Sequence, residues 1–126
     1  GGSAGVAQIF CDSLGSLGVF SNYFRDRSLI QNIIPILNTD DVIVGISHSG
    51  ETEEIVMAIK KAKEYGATTV GITNSSQSKL ASVAELQLIT GVPMNLMGSY
   101  SCQARISQLV ILELVLNEIA NFLKTK

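Results

Sequence analysis

From Gly45 the sequence reads Gly-Ile-Ser-His-Ser-Gly-Glu-Thr, a stretch that brings the small hydroxyls of Ser47, Ser49 and Thr52 into a few residues. Hydroxyls and backbone N–H groups gathered at a helix N-terminus, with the positive end of the helix dipole behind them, form a cradle for phosphate or another anion. Gly50 would let the main chain approach such a ligand closely. Plain N-capping is the competing explanation, with Ser49 and Thr52 satisfying orphan N–H groups and the remainder serving as turn chemistry. A cap needs one hydroxyl, and three are present. A Walker loop would require Gly-x-x-x-x-Gly-Lys-Ser/Thr and a dinucleotide site Gly-x-Gly-x-x-Gly with a distant acid, and the stretch has neither.

The opening Gly1-Gly2-Ser3-Ala4-Gly5 is a weaker candidate of the same kind, with small residues and a hydroxyl leading into a helix. It gains meaning only if it meets the Ser47 loop at one end of a sheet. His48 is the sole histidine and cannot complete a zinc set with Cys11 and Cys102 at any recognised spacing. Both cysteines read as small apolar side chains. No metal and no cofactor is expected, and no residue is assigned a catalytic role.

The elements that must position these residues follow from periodicity. Val6, Phe10, Leu14 and Leu17 share one helical face, and Gly18 can end that helix. A short strand is expected at Val19 to Ser21. Asp26 is a plausible N-cap for a helix carrying Ile30, Ile33, Ile34 and Leu37, with Pro35 disturbing its last turns. Val42 to Ile46 is a β-branched run of the kind buried on both faces of a parallel sheet. A helix from Glu51 to Tyr65 follows, acidic at its start and rich in lysine near its end, as the helix dipole favours. Strands are then expected at Thr68 to Thr73 and Leu86 to Thr90, with a short helix around Lys79 to Ala84 between them. Gly91 to Ser99 should be irregular, and one long helix should run from about Ser101 to Lys124. Strands separated by helices imply right-handed crossovers, hence an α/β fold with an open parallel sheet and helices on both faces. Ligands of such sheets sit beyond the carboxyl ends of the strands.

Composition bounds the partners. The chain has 126 residues, 46% of them hydrophobic and 16% charged, with a net charge of −2. It is one domain, too apolar to be a disordered tail. Without a basic field it is not expected to bind DNA by itself. No run approaches the roughly 18 uninterrupted apolar residues of a membrane span, and no basic and apolar leader opens the chain, so a cytoplasmic protein without membrane association is expected. The run Leu109 to Leu116 is apolar nearly all round, more than one core-facing stripe requires, which points to a homo-oligomer formed through the last helix.

The stretch Val42 to Ile55 resembles the signature strand, loop and helix of the sugar isomerase (SIS) phosphosugar-binding domain, most closely that of RpiR-type transcriptional regulators. Ala58 to Lys63, Gly66-Ala67, Val70 to Asn74 and Leu80-Ala81 continue in register, and Ala104-Arg105-Ile106-Ser107-Gln108-Leu109 looks like the start of that family's last helix. The resemblance implies a flavodoxin-like fold and a phosphosugar ligand. Ser47, Ser49 and Thr52 would hold the phosphate, His48 and Gly50 would line the same loop, and Ser3 would contact the phosphate or a sugar hydroxyl. It further implies an apolar central strand immediately before Gly1 and a helix-turn-helix domain upstream, so that residues 1–126 would be an N-terminally truncated domain that meets DNA only through a module outside this chain.

Three functions compete. An effector-sensing domain of a regulator needs only the pocket. A phosphosugar isomerase of the aldose–ketose type needs a general base. The resemblance places a catalytic glutamate of amino-sugar isomerases just before the last helix, where this chain has Met97-Gly98-Ser99-Tyr100-Ser101 and no acid. Glu51, Glu53 and Glu54 read as solvated first-turn charges. A purely structural oligomerisation domain is disfavoured by the retained hydroxyls.

Overall fold

The computed structural model describes residues 3–93 and 96–125. Helix α1 (Ala4–Ser16) and helix α2 (Arg27–Ile33) precede the first strand. Asp26 caps α2 as its position suggests, its carboxylate accepting from Ser28 N and Leu29 N. Pro35 converts the end of this segment into a 3-10 turn over Ile34–Ile36. Strand β1 (Val42–Ile46), helix α3 (Glu53–Glu64), strand β2 (Thr68–Thr73), helix α4 (Lys79–Val83) and strand β3 (Leu86–Ile89) follow. A 3-10 turn at Gly98–Tyr100 leads into α5 (Cys102–Lys124).

The three strands are parallel in the order β1-β2-β3. Alternation along them separates two apolar layers. Val44 and Ile46 of β1, with Val70, Ile72 and Leu88, meet Val6, Ala7 and Phe10 of α1 and Leu109 and Leu112 of α5. On the opposite face Ile43 meets Ile55, Val56 and Ile59 of α3, with Leu80, Val83 and Ala84 beside them. Gly45 and Gly71 are partners in the β1–β2 register on that second face. A Cβ at Gly45 would come within 2.9 Å of Ile59 Cγ1, and one at Gly71 within 3.0 Å of Ala84 Cβ, so these glycines let the helices seat on the sheet.

Several expectations need correction. Val19 to Ser21 is not a strand. Helices cover both faces of β1, but among the described residues it pairs with β2 alone, and Val42 at its start is 63% exposed. Cys11 is half-buried, but Cys102 begins α5 in an exposed position, so it is not a packed apolar side chain. The irregular Gly91 to Ser99 segment includes Met94 and Asn95, which lie outside the described residues.

Helix α5 has no uninterrupted apolar run of the length a membrane span needs, since Arg105, Gln108, Glu113 and Glu118 interrupt it. By length and composition alone it would also pass for a membrane-crossing helix, as apolar helices of soluble domains do. Leu109 and Leu112 nevertheless pack into the core. Its remaining surface carries Ile106, Val110, Leu114 and Phe122, all exposed.

Candidate functional site

The β1 ladder carries the chain straight into the hydroxyl loop, with Ser47 N donating to Ile72 O at 3.0 Å. Ser47 is buried, and its Oγ accepts from Gly50 N at 3.0 Å. The Thr52 hydroxyl lies 2.9 Å from Ser47 Oγ, and the Ser49 hydroxyl lies 3.4 Å from it. The three hydroxyls therefore converge on one spot at the start of α3. Thr52 occupies the N-cap position of α3, yet its side chain makes no capping hydrogen bond. The capping explanation thus fails for Thr52 and holds only locally for Ser49, whose Oγ accepts from Glu51 N at 3.1 Å.

Gly50 has a tighter role than ligand access. Its φ is +69°, and a Cβ there would overlap the Ser78 side chain and Thr73 Oγ1. Behind it Thr73 Oγ1 bonds Ser78 Oγ at 3.2 Å and donates to His48 O at 3.3 Å. Leu80 N donates to Gly50 O at 2.9 Å, and Asn74 N to His48 O at 3.0 Å. The loop is thereby clamped against the end of β2 and the start of α4 before any ligand arrives, which is the preorganisation that keeps binding costs low.

Ser3, at the N-cap of α1, makes no cap of its own. Its Oγ accepts from Arg105 Nη1 at 2.8 Å and Gln108 Nε2 at 3.2 Å, both on α5. The His48 imidazole is held below the ordinary histidine pKa, chiefly by burial and further by the positive charge of Arg105. Arg105 is thus near enough for its charge to act on His48 while its Nη1 donates to Ser3. Burial in turn lowers the guanidinium's own pKa. Buried polar atoms gather here: among the described residues His48 Nδ1 and Gln108 Oε1 have no hydrogen-bond partner.

All the loop residues singled out from the sequence, Ser47, His48, Ser49, Gly50 and Thr52, sit together, and Ser3 is bonded to Arg105, whose charge acts on His48. Arg105 and Gln108 themselves carried no individual signal. A cation near a helix N-terminus, where the dipole disfavours it, was the one available hint. Among the described residues no cluster of three or more His, Cys, Asp or Glu could hold a metal ion.

The SIS domain family model matches residues 1–118. The chain is 36% identical over 93 residues to the HTH-type transcriptional regulator YbbH of Bacillus subtilis, covering 73% of this chain and 33% of that protein. An enzyme also matches: N-acetylmuramic acid 6-phosphate etherase of Streptomyces coelicolor, 38% identical over 81 residues, covering 63% of this chain and 26% of the enzyme. Among solved structures, the sugar isomerase domain of an RpiR transcription factor from Sphaerobacter thermophilus superposes with a TM-score of 0.83 at 28% identity, covering 95% of this chain and 65% of that one. The Vibrio vulnificus NanR protein complexed with ManNAc-6P has the same fold, with a TM-score of 0.89 at 21% identity, covering 96% of this chain and 46% of that one. The chain spans about a third of the length of the curated regulator it matches. It belongs to the SIS domain family and is homologous to the sugar isomerase domain of RpiR transcription factors.

Proposed function

We propose that this domain senses a sugar phosphate on behalf of a transcriptional regulator. The observation that carries the reading is the convergence of the Ser47, Ser49 and Thr52 hydroxyls at the start of α3, where Thr52 leaves the helix end uncapped. Such a site suits an anion. NanR, which shares the fold, is complexed with a sugar phosphate, and the match to an HTH-type regulator gives the site its context. The phosphate would sit on Ser47, Ser49 and Thr52, with His48 and Gly50 lining the loop and Ser3 contacting the phosphate or a sugar hydroxyl.

The remainder of the regulator would supply what this chain does not. A helix-turn-helix domain upstream would read DNA in the cytoplasm, and a further strand upstream of Gly1 would pair with the open edge of β1. A second copy would cover the stripe Ile106, Val110 and Leu114, which recurs every four residues along the outer face of α5 beside exposed Ile9. An apolar stripe of this kind could meet its own copy across a two-fold axis.

The second reading, catalysis on a sugar phosphate, draws support from the etherase match. Against it, the turn entering α5 offers no carboxylate, and His48, with its pKa lowered by burial, is the one imidazole. A thermal-shift screen against hexose, pentose and amino-sugar phosphates tests the sensing proposal, because a ligand bound only by the native state raises its stability. One sugar phosphate should raise the melting temperature in a concentration-dependent way; a flat response across the panel overturns it.

A further inference from the structure

We propose that Arg105 is the charge-reading residue of this site, holding the Ser3 hydroxyl as a pure donor toward the ligand and supplying the cation that selects a phosphorylated sugar. The inference rests on the sugar-phosphate reading above and names the residue that enforces it.

A serine hydroxyl has two acceptor lone pairs and one proton to donate. Arg105 Nη1 and Gln108 Nε2 both point at Ser3 Oγ, at 2.8 and 3.2 Å, and occupy its acceptor capacity. The proton of Ser3 is left to donate, and donation to acceptor-only oxygens such as those of a phosphate is what the arrangement favours. A cationic donor on the same oxygen strengthens that outgoing bond.

The loop itself carries no cation, so any positive charge at the site comes from elsewhere in the chain. Between Ser47 and Val56 there is no lysine or arginine, whereas Glu51, Glu53 and Glu54 are all acidic. A dianionic phosphate at the start of α3 would meet these carboxylates with only neutral hydroxyls, N–H groups and the helix dipole to offset them. Arg105 comes from the far end of the sequence, is half-buried, and is near enough for its charge to act on His48. It stands near the N-terminus of α5, where the helix dipole opposes it. That cost is consistent with a cation retained for an anion. Gln108 adds an independent sign of a ligand-facing cluster, since it is 1% exposed and its Oε1 has no partner among the described residues.

The experiment is calorimetry on the wild type, Arg105→Gln and Arg105→Lys with glucose 6-phosphate, fructose 6-phosphate, glucosamine 6-phosphate, ManNAc-6P, ribose 5-phosphate and arabinose 5-phosphate. With the probe that binds the wild type most tightly, Arg105→Gln should lose about 10- to 150-fold in affinity, as expected for a charged hydrogen-bonding partner. Arg105→Lys should recover most of that loss. The lone histidine gives a second readout by NMR: His48 should titrate at higher pH in Arg105→Gln than in the wild type or Arg105→Lys. A purely packing role for Arg105 predicts neither the lysine rescue nor the histidine shift. Unchanged affinity in Arg105→Gln, a lysine variant as weak as the glutamine variant, or an unmoved His48 titration overturns the proposal while leaving the sugar-phosphate reading intact. Binding of none of the six by the wild type overturns both.

Should Arg105→Gln not fold, salt decides the matter on the wild type. The chain carries a net charge of −2 and Glu51, Glu53 and Glu54 flank the loop, so without a local cation only the short-range pull of the α3 dipole would be screened, and salt would weaken anion binding slightly at most. With Arg105 on the phosphate, affinity falls steeply, about tenfold or more, as salt rises from low to roughly 0.5 M. A flat, rising or only slightly falling affinity overturns the assignment.

Discussion

The Thr52 hydroxyl sits 2.9 Å from the Ser47 hydroxyl and makes no bond to the N–H groups of the helix it begins. A threonine at an N-cap ordinarily turns back onto its own helix, a bond whose loss costs about 1 kcal/mol. Here it faces across the loop instead, toward the place where an anion would complete both the hydroxyl cluster and the helix end.

The two loop serines should separate under mutation. Ser47 is buried and holds Gly50 N, so Ser47→Ala should lower stability by about 1–3 kcal/mol, the cost of an unmade buried hydrogen bond, and weaken ligand binding as well. Ser49 is exposed, and Ser49→Ala should change stability by no more than about 0.5 kcal/mol. Urea unfolding of both variants checks this; equal losses would mean that the two hydroxyls do not divide structural and binding roles.

Gly50→Ala should be the most damaging single change in the loop. Its φ of +69° is unfavourable for an L side chain, and the new Cβ would meet Ser78 and Thr73. The left-handed backbone costs about 1–2 kcal/mol and overpacking typically about 1–3 kcal/mol more. A denaturant midpoint within error of the wild type would contradict the clamped geometry.

The strand, loop and helix from Val42 to Glu64 were legible because each carries a strong local signal: β-branched residues, clustered hydroxyls around a glycine, and acidic then basic helix ends. Asp26 and Pro35 likewise announced the start and the distorted end of α2. The failures concern what local signals do not contain. Val19 to Ser21 has β-forming residues, but a strand exists only with a neighbour to pair with, and the sheet here is β1-β2-β3. The exposure of Val42 has the same origin, since among the described residues β1 has a neighbour on one side only. Arg105 and Gln108 reach Ser3 from about a hundred residues away, a proximity created by packing α1 against α5 and invisible to periodicity.

His48 should make stability pH-dependent in a defined direction. Its native pKa lies below the ordinary value, because burial and then Arg105 disfavour the charged form. As pH falls, the unfolded chain takes up this proton before the native state does. The contribution is therefore complete above the ordinary histidine range and is lost as pH falls through the native pKa. Unfolding midpoints between about pH 8 and about pH 5 should fall more steeply for the wild type than for His48→Gln. Parallel curves would show that His48 is not held neutral by the fold.

The α5 stripe should mediate association. Ile106, Val110 and Leu114 are 60%, 55% and 61% exposed, and their burial against a second copy would remove an apolar surface that water disfavours. Sedimentation at micromolar concentration should give a dimer or larger species, and Val110→Glu should shift it toward monomer. A wild type that sediments as a monomer throughout would rule out this interface.

The domain should bind its ligand without converting it. Proton transfer between adjacent sugar carbons needs a base in reach, and a sensor must let ligand concentration set its conformational population. Sugar phosphate incubated with micromolar protein and followed by NMR should isomerise no faster than a protein-free control. Conversion well above that control, abolished by Ser49→Ala, would make the domain an enzyme.

Most direct is isothermal titration of the wild type, Ser47→Ala and Ser49→Ala with the sugar phosphate that most raises the melting temperature. Saturable one-site binding by the wild type, weakened about 10- to 150-fold in each variant, is the predicted result for charge-assisted hydrogen bonds to a phosphate. Equal affinity in all three proteins, or no binding by the wild type, would contradict the assignment of the Ser47–Thr52 loop as a phosphate cradle.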